Sequence, residues 1–332
     1  METFRFVIIG TGNISKTYLN AIEKLKNIET VGFISRNLHL PEGISNKLPV
    51  TADLNTFPGE FDGVIIATPN GLHHKWAVAA AQMGKHVLAE KPLDISLKAM
   101  NQMIDACKAN NVKLGCAYQY RTNVDNMIVK ELLDQKAFGK IIAADYKIKC
   151  WREQSYYDSA AYRGGYEIDG GGPFIQQACH QVDIYGWFFG RPVRTVSMLG
   201  TFLHDMEAED HGVAILQHEN GMIGTIEAST CASPGFAPEL YIHTEKGTIV
   251  MTNGMISEWH IDDIPNPSKE AVRQMHSGAG SAAVEETSGH ERIVEDFVDA
   301  VRTNRQPIVS GEEARLATEI VLGIYNNNVY QK

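Results

Sequence analysis

Phe4 to Ser15 reads FRFVIIGTGNIS. A largely apolar run, Phe4 to Ile9, enters a glycine turn, and beyond it Tyr18, Leu19, Ile22 and Leu25 recur at helical spacing. Strand, glycine turn and helix form the context in which a Gly-x-Gly fingerprint carries weight. Gly10 allows the tight turn and Gly12 lets the backbone approach a pyrophosphate. The following helix, opening at Asn13 and Ile14, offers N–H groups and the positive end of its dipole to the phosphates. Ser15 stands where the fingerprint has its third glycine. Alone, this pattern is also met as a plain glycine-rich turn; its strand-to-helix setting points to nucleotide binding.

Working outward, the second strand, Thr30 to Ile34, ends in Ser35-Arg36, where an acid would hold the ribose 2′-hydroxyl of NAD. A small hydroxyl and a guanidinium instead suit a 2′-phosphate, so NADP is the expected cofactor, with NAD the alternative. Arg36 can otherwise stack on adenine or face water. The strand Gly63 to Ala67 leads to Thr68-Pro69-Asn70 and a helix from Leu72 to Met83, placing Thr68, Asn70 and His73 at the ligand end of the sheet. His73 reads equally as a structural partner and as a cofactor contact.

Met83 to Asp94, MGKHVLAEKPLD, then gives a helix end at Gly84, a short buried strand and Glu90-Lys91-Pro92 at its carboxyl end. Pro92 biases Lys91 toward extended backbone, so the lysine sits in a fixed bend. A helix from Ser96 to Asn110, capped by Ser96, and a strand from Lys113 to Tyr118 follow, with Gln119, Tyr120 and Arg121 at the strand's end. Alternating β and α units over residues 1–122 predict a Rossmann domain with a doubly wound parallel sheet.

The chain has 332 residues, 44% hydrophobic and 21% charged, with net charge -10. Two domains are expected. The acidic balance, without a Lys/Arg-rich run, argues against nucleic acid as a partner. No apolar run reaches the ~20 residues of a membrane span, and the first strand starts too close to Met1 for a signal peptide, so a cytoplasmic protein with no membrane partner is expected. The five cysteines occur singly and no His-Glu-x-x-His occurs, which gives no sign of a disulfide framework or a metal site.

Residues 123–332 change character. A helix from Val124 to Gln135 precedes a long strand, Ile141 to Trp151, and a polar aromatic segment containing Trp151, Arg152, Tyr156, Tyr157 and Arg163. Asp169 and three glycines lead through Pro173 to a predicted helix, Phe174 to Phe189. Gln176, His180, Asp183 and Trp187 would share one of its faces, with Gln177 beside them. An imidazole exchanges its proton near neutrality, which makes His180 a candidate base. Alternating strands (Val213 to His218, Met222 to Ser229, Glu239 to Thr244, Thr248 to Met251), with turns at Asn220-Gly221 and Lys246-Gly247, predict an α+β domain built on a large, mainly antiparallel open-faced sheet. Pro265 to Gly289 reads as a polar connection, and helices Glu291 to Thr303 and Glu312 to Asn326 close the chain.

Taken together, the chain resembles the Gfo/Idh/MocA family, the glucose-fructose oxidoreductase and inositol dehydrogenase group. The motifs that carry the resemblance are Gly10-x-Gly12, Thr68-Pro69-Asn70 with His73, Gly84-Lys85-His86-Val87 leading to Glu90-Lys91-Pro92, the Asp169 glycine run with His180 and Asp183, and Gly311-x-Glu313-Ala314. It implies hydride transfer between nicotinamide and a secondary alcohol carbon of a sugar or cyclitol, and a dimer or tetramer formed through the second domain's sheet. Lys91 matches the family's catalytic lysine and His180 its catalytic histidine. Gly10, Gly12, Asn13, Ile14, Ser35, Arg36, Thr68, Asn70, His73, Glu90 and Lys91 are the candidate cofactor contacts. Gln119, Trp151, Arg152, Tyr156, Tyr157, Arg163, Gln176, Gln177 and Asp183 are the candidates for substrate. Gln176 departs from the aspartate found in many members, which removes an ionisable relay. The segment Trp151 to Arg163 is similar to members acting on nucleotide-linked aminosugars or uronic acids. Two other readings remain open: an NADP-dependent dihydrodiol or carbonyl reductase, and a non-catalytic NADP-sensing regulator, which would need neither Lys91 nor His180.

Overall fold

The computed structural model describes residues 2–41, 44, 48–268 and 286–329. In chain order the elements are β1 (Phe4–Ile9), α1 (Asn13–Ile22), β2 (Ile28–Ile34), β3 (Val50–Thr51), β4 (Gly63–Ile66), α2 (His73–Gln82), β5 (His86–Ala89), α3 (Leu97–Ala109) and β6 (Leu114–Cys116). Then come α4 (Val124–Asp134), β7 (Ile141–Lys149), α5 (Gln154–Asp158), α6 (Cys179–Phe189), β8 (Arg194–Gly200), β9 (His211–Gln217), β10 (Ile223–Ser229), β11 (Glu239–Thr244), β12 (Gly247–Thr252) and β13 (Met255–Ile261). The last two are α7 (Ser288–Thr303) and α8 (Gly311–Asn326).

Two compact units result, Met1–Gln119 with Val284–Arg315, and Tyr120–Ala283 with Leu316–Lys332. The expected division into 1–122 and 123–332 misses the return of α7 to the first unit. Its apolar stripe explains that return: Ile293, Val294, Phe297 and Val298 are buried, and Phe297 lies 6.2 Å from Phe6 of β1. A Cβ at Gly115 of β6 would stand 2.8 Å from the Phe297 ring, so β6 needs glycine there to admit the helix. Much of the expected polar connection, residues 269–285, lies outside the described residues.

In the first unit six strands run in the order β3-β2-β1-β4-β5-β6, every pair parallel. Phe6 to Ile9 have no exposure, and each such side chain taken from water contributes roughly 1.5–3 kcal/mol. The order reverses between β1 and β4, and the crevice at such a switch point is where open α/β sheets bind ligands. The two turns there touch: a Cβ on Gly10, whose φ is +107°, would stand 2.4 Å from the Ala67 carbonyl oxygen. The Ser96 cap on α3 is formed, its Oγ accepting from the Ala99 N–H at 3.2 Å.

The second unit's sheet has the order β13-β12-β11-β7-β10-β9-β8, antiparallel throughout except for the parallel pair β7–β10. Alternation decides its two faces. Ala144, Tyr146, Ile148, Ala214, Leu216, Ile226 and Ala228 are buried. α6 lies against this face: a Cβ on Gly224 of β10 would meet the Tyr185 hydroxyl at 2.0 Å. Val196, Met198, Val213, Ile215 and Ile223 stand exposed on β8 to β10. Both expected hairpin turns occur, Gly221 and Gly247 each having positive φ. The five cysteines are free.

Candidate functional site

At the ligand end of the first unit's sheet, α1 begins at Asn13 with no side chain capping it and no acidic residue in its first turn. Asn13 is exposed and Ile14 half-buried. Gly12 is extended (φ −77°, ψ −177°), and a Cβ built on it meets nothing within 4 Å. The protein's own packing therefore does not demand glycine at this position, whereas a group lying against the backbone from outside would. Ser15 is buried and its hydroxyl donates to the Gly12 carbonyl at 2.6 Å, so the residue in the third-glycine position fastens the turn. Ser35 follows the last residue of β2, its hydroxyl 3.3 Å from that of Thr11, and Arg36 is exposed next to it. The Thr68 hydroxyl oxygen is buried with no partner in the protein, and Asn70 is half-buried two residues on. An uncapped helix start, an open glycine and an orphaned hydroxyl at a switch point fit a dinucleotide.

His73 serves as a structural partner. It has no exposure; Nε2 is 2.9 Å from the Thr68 carbonyl, and Nδ1 is 3.0 and 3.2 Å from those of Pro92 and Leu93. Its ring therefore ties the loop after β4 to the loop after β5. Asp94 doubles that tie by accepting from the backbone N–H of His74 at 3.0 Å. Glu90 is likewise withdrawn from the surface, 6% exposed. Its carboxylate accepts from the Tyr18 hydroxyl at 2.7 Å and from the Lys91 N–H at 3.1 Å. Burial pushes its pKa up, but the nearby His290, the Lys91 charge and the Tyr18 bond outweigh that and hold it down at about 2. Half-buried Lys91 is thus flanked on both sides by fastened backbone, and the Lys91–Pro92 bond is cis. Gln119, just beyond β6, packs against Gly289 of α7.

In the second unit, the glycine run does not lead straight into a helix. Gln176 and Gln177 lie in a turn whose hydrogen bonds widen to Ala178 N–H on the Pro173 carbonyl, 2.8 Å, and α6 starts at Cys179. Gln176 therefore falls off the expected helical face, and its amide donates to the Asp169 carbonyl at 2.6 Å. His180 sits in the first turn of α6, its ring stacked on Tyr120 at 4.7 Å and 19°. Asp183 is turned to the core. It is 1% exposed, accepts two hydrogen bonds from Arg121 at 2.8 and 2.7 Å, and so serves the core.

The aromatic segment divides in the same way. Tyr157 is buried and its hydroxyl lies 2.8 Å from that of Thr230, which ties it to the core. Half-buried Tyr156 instead presents its ring to two guanidiniums, Arg163 at 4.4 Å and Arg152 at 5.6 Å. Gln177 donates to the Tyr156 hydroxyl at 3.4 Å, while Gln177 Oε1 and Arg163 Nε are buried without a protein partner. Trp151 bridges to Cys231, and the Arg152 carbonyl lies 2.9 Å from His204 Nε2.

Sequence reading passed over the supports of this cluster. His204, Asp210 and Cys231 place ligand-type atoms within 4.8 Å of one another. Their hydrogen bonds give them to the loop: Asp210 accepts from the backbone of Phe202, Leu203 and His204 at 2.8 to 2.9 Å, which overcomes burial and keeps its pKa low. Glu209 lies under the glycine run, accepting from Gly172 N–H at 3.1 Å and the Tyr325 hydroxyl at 2.9 Å; burial outweighs these bonds and raises its pKa to about 7. Tyr120, which stacks on His180, stands next to Gln119 at the end of β6, a position the sequence does show.

Residues 4–118 match the oxidoreductase family model with an NAD-binding Rossmann fold, and residues 127–250 match the GFO/IDH/MocA C-terminal domain. An oxidoreductase of Formosa agariphila is 31% identical over 191 residues, 55% of this chain; the match spans 60% of that relative's length. A D-xylose 1-dehydrogenase (NADP(+)) of Haloferax volcanii is 25% identical across 97% of this chain and 96% of its own. Among solved structures, the WlbA dehydrogenase of Bordetella pertussis in complex with NADH and UDP-GlcNAcA superposes with TM-score 0.86 and 29% identity, covering 98% of this chain and 96% of that one. Among the described residues no helix is long and apolar enough to cross a membrane. With a parallel nucleotide-type sheet, a second sheet of mainly antiparallel strands and two family models in chain order, the chain belongs to the Gfo/Idh/MocA family of oxidoreductases.

Proposed function

We propose that the protein is an NAD(P)-dependent dehydrogenase that moves a hydride between nicotinamide and a secondary alcohol or ketone carbon of an acidic, nucleotide-linked sugar. The observation that carries the substrate class is the gathering of the Arg152 and Arg163 guanidiniums over the Tyr156 ring. Guanidiniums recognise carboxylates and phosphates in bidentate fashion, and a neutral cyclitol would make no use of two of them. The likeness to a dehydrogenase solved with NADH and UDP-GlcNAcA supports the same class.

The nicotinamide, when bound, supplies the hydride acceptor or donor. Gly12 and the start of α1 hold the pyrophosphate, and Thr68 and Asn70 line the same crevice. Arg36 and Ser35 hold the 2′-phosphate of NADP, the preferred cofactor in this reading. Lys91 hydrogen-bonds the reacting oxygen, and His180, its ring set by Tyr120, takes the hydroxyl proton. Two copies join through the apolar face of β8 to β10.

The experiment is a panel of UDP-sugars, with and without a carboxylate on the sugar, beside free uronic acids, free sugars and cyclitols. Each is offered with NAD+ and NADP+ while nicotinamide absorbance is followed. Turnover confined to acidic nucleotide sugars, with KM raised about tenfold or more by Arg163→Ala, is expected. Preferential turnover of neutral free sugars would overturn the substrate class; tight cofactor binding with no turnover on any member would favour the sensor.

A further inference from the structure

Glu90 ends β5 as a buried carboxylate, and groups from three elements surround it. Tyr18 of α1 donates to its Oε1 at 2.7 Å. His290, in the first turn of α7, places Nε2 3.7 Å from the same oxygen. The Lys91 N–H donates to Oε2 at 3.1 Å. His290 is 3% exposed and meets the Tyr18 ring edge-on at 5.1 Å. A buried carboxylate with no partner costs several kcal/mol, so this anion depends on what surrounds it.

The first turn of α7 is held firmly enough to do this. Glu291 pairs with Lys24 at 2.8 Å, and Gly289 presses on Gln119, where a Cβ would stand 2.9 Å from Cγ. On the other side of Lys91, His73 pins the Pro92 and Leu93 carbonyls. Lys91 therefore has two anchors, one before it through Glu90 and one after it through His73.

We propose that His290, acting through Glu90 and together with Tyr18, is a positioning residue for Lys91, so that α7 belongs to the catalytic apparatus and not only to the core. This rests on the reading of Lys91 as the group that holds the reacting oxygen. His290 keeps Glu90 charged and aimed; Glu90 fixes the Lys91 backbone and supplies the counter-charge for its ammonium.

The test uses the full chain and two readouts. In the first, competitive acetylation of Lys91 at fixed pH is read by peptide mass spectrometry. Removing a nearby opposite charge frees an amine for labelling, so Glu90→Gln raises the Lys91 rate about tenfold; His290→Ala, which lets the carboxylate turn away or take up a proton, raises it about threefold or more. His290→Gln, which keeps an N–H near Oε1, returns it to within about twofold of wild type. The double variant Glu90→Gln/His290→Ala matches Glu90→Gln alone, because the histidine acts through the carboxylate.

In the second, His290→Ala lowers kcat about 10- to 100-fold, as a displaced catalytic group does, while the Kd for NADPH stays within about threefold. Tyr18→Phe, which removes one hydroxyl and leaves the packing, moves both readouts in the same direction. Labelling and kcat both unchanged in His290→Ala, or effects that multiply in the double variant, would overturn the proposal. Lys91→Ala is measured alongside. If that variant turns over normally, the catalytic reading of Lys91 fails, and the labelling rates still decide the coupling.

Discussion

Arg121 grips Asp183 through two hydrogen bonds of 2.8 and 2.7 Å, with 2% and 1% of the two residues exposed. The guanidinium also lies 5.4 Å from the Trp187 ring, so one buried fork joins the residue after Tyr120 to the middle of α6. Breaking a buried pair leaves a charge without compensation, and Asp183→Ala is expected to cost about 3–5 kcal/mol in urea unfolding. Replacing both partners, as in Arg121→Met with Asp183→Leu, should recover much of that loss, since no charge is then buried. A single Asp183→Ala variant that loses under about 1 kcal/mol would return Asp183 to the candidates for substrate contact.

The two glycines of the nucleotide turn should behave differently. Gly10 has φ +107° and no room, its Cβ falling 2.4 Å from a backbone oxygen. Gly10→Ala should therefore destabilise the first unit, whatever ligand is present. Gly12 has ordinary backbone angles and open space. Gly12→Ala should keep the wild-type melting temperature and weaken NADPH about tenfold, near 1.4 kcal/mol. Unchanged affinity in the Gly12 variant would move the pyrophosphate away from this turn.

What could be read from the sequence was local. β1 and the glycine turn were legible because the apolar run, the glycine placement and the start of α1 all lie within a few residues of one another. The Ser96 cap and the turns at Gly221 and Gly247 belong to the same class. What could not be read was burial created by distant partners. Asp183, Tyr157 and His73 carry polar groups, and nothing nearby in the sequence says that Arg121, Thr230 and the Pro92 carbonyl will occupy them. Gln176 was misplaced because a helical period was extended back through a turn that opens by one residue at Ala178. The return of α7 is the largest such case, since its stripe fits any apolar surface and only the space over Gly115 selects one.

Arg36 bears on cofactor choice. It is exposed beyond the end of β2, next to the buried Ser35, and carries no ion pair among the described contacts that would compete for it. Arg36→Ala should weaken NADPH by about 1.5–3 kcal/mol, the range for a hydrogen bond to a charged group, and barely alter NADH. Titration of both cofactors checks this. Equal losses for the two would assign Arg36 to adenine stacking or to solvent.

The outer face of the second sheet tests the assembly. Val196 and Ile215 are cross-strand partners, as are Met198 and Val213, so their exposed side chains form one continuous patch with Ile223. Such a patch marks an interaction surface. Ile215→Lys should reduce the mass seen by light scattering to that of one chain without lowering cofactor affinity. A wild-type chain that is already monomeric at working concentration would refute the assembly.

Glu209 gives the stability a pH slope of known sign. Its pKa rises from the ordinary 4.5 to about 7 because burial outweighs the bonds from Tyr325, Gly172 and Phe174. Between those values the folded state holds a proton that the unfolded state has lost, so stability falls as pH rises through this window, by about 3 kcal/mol in all. Glu90 works in the opposite sense. Held at about 2, it contributes stability that is complete above 4.5 and is lost as pH falls toward 2. The melting temperature should therefore decline from pH 5 to pH 7 in the wild type, and Glu209→Gln, which cannot ionise, should flatten that decline whatever its absolute stability. An unaltered slope in the variant would show that Glu209 ionises at its ordinary value beneath the glycine run, with solvent reaching it there.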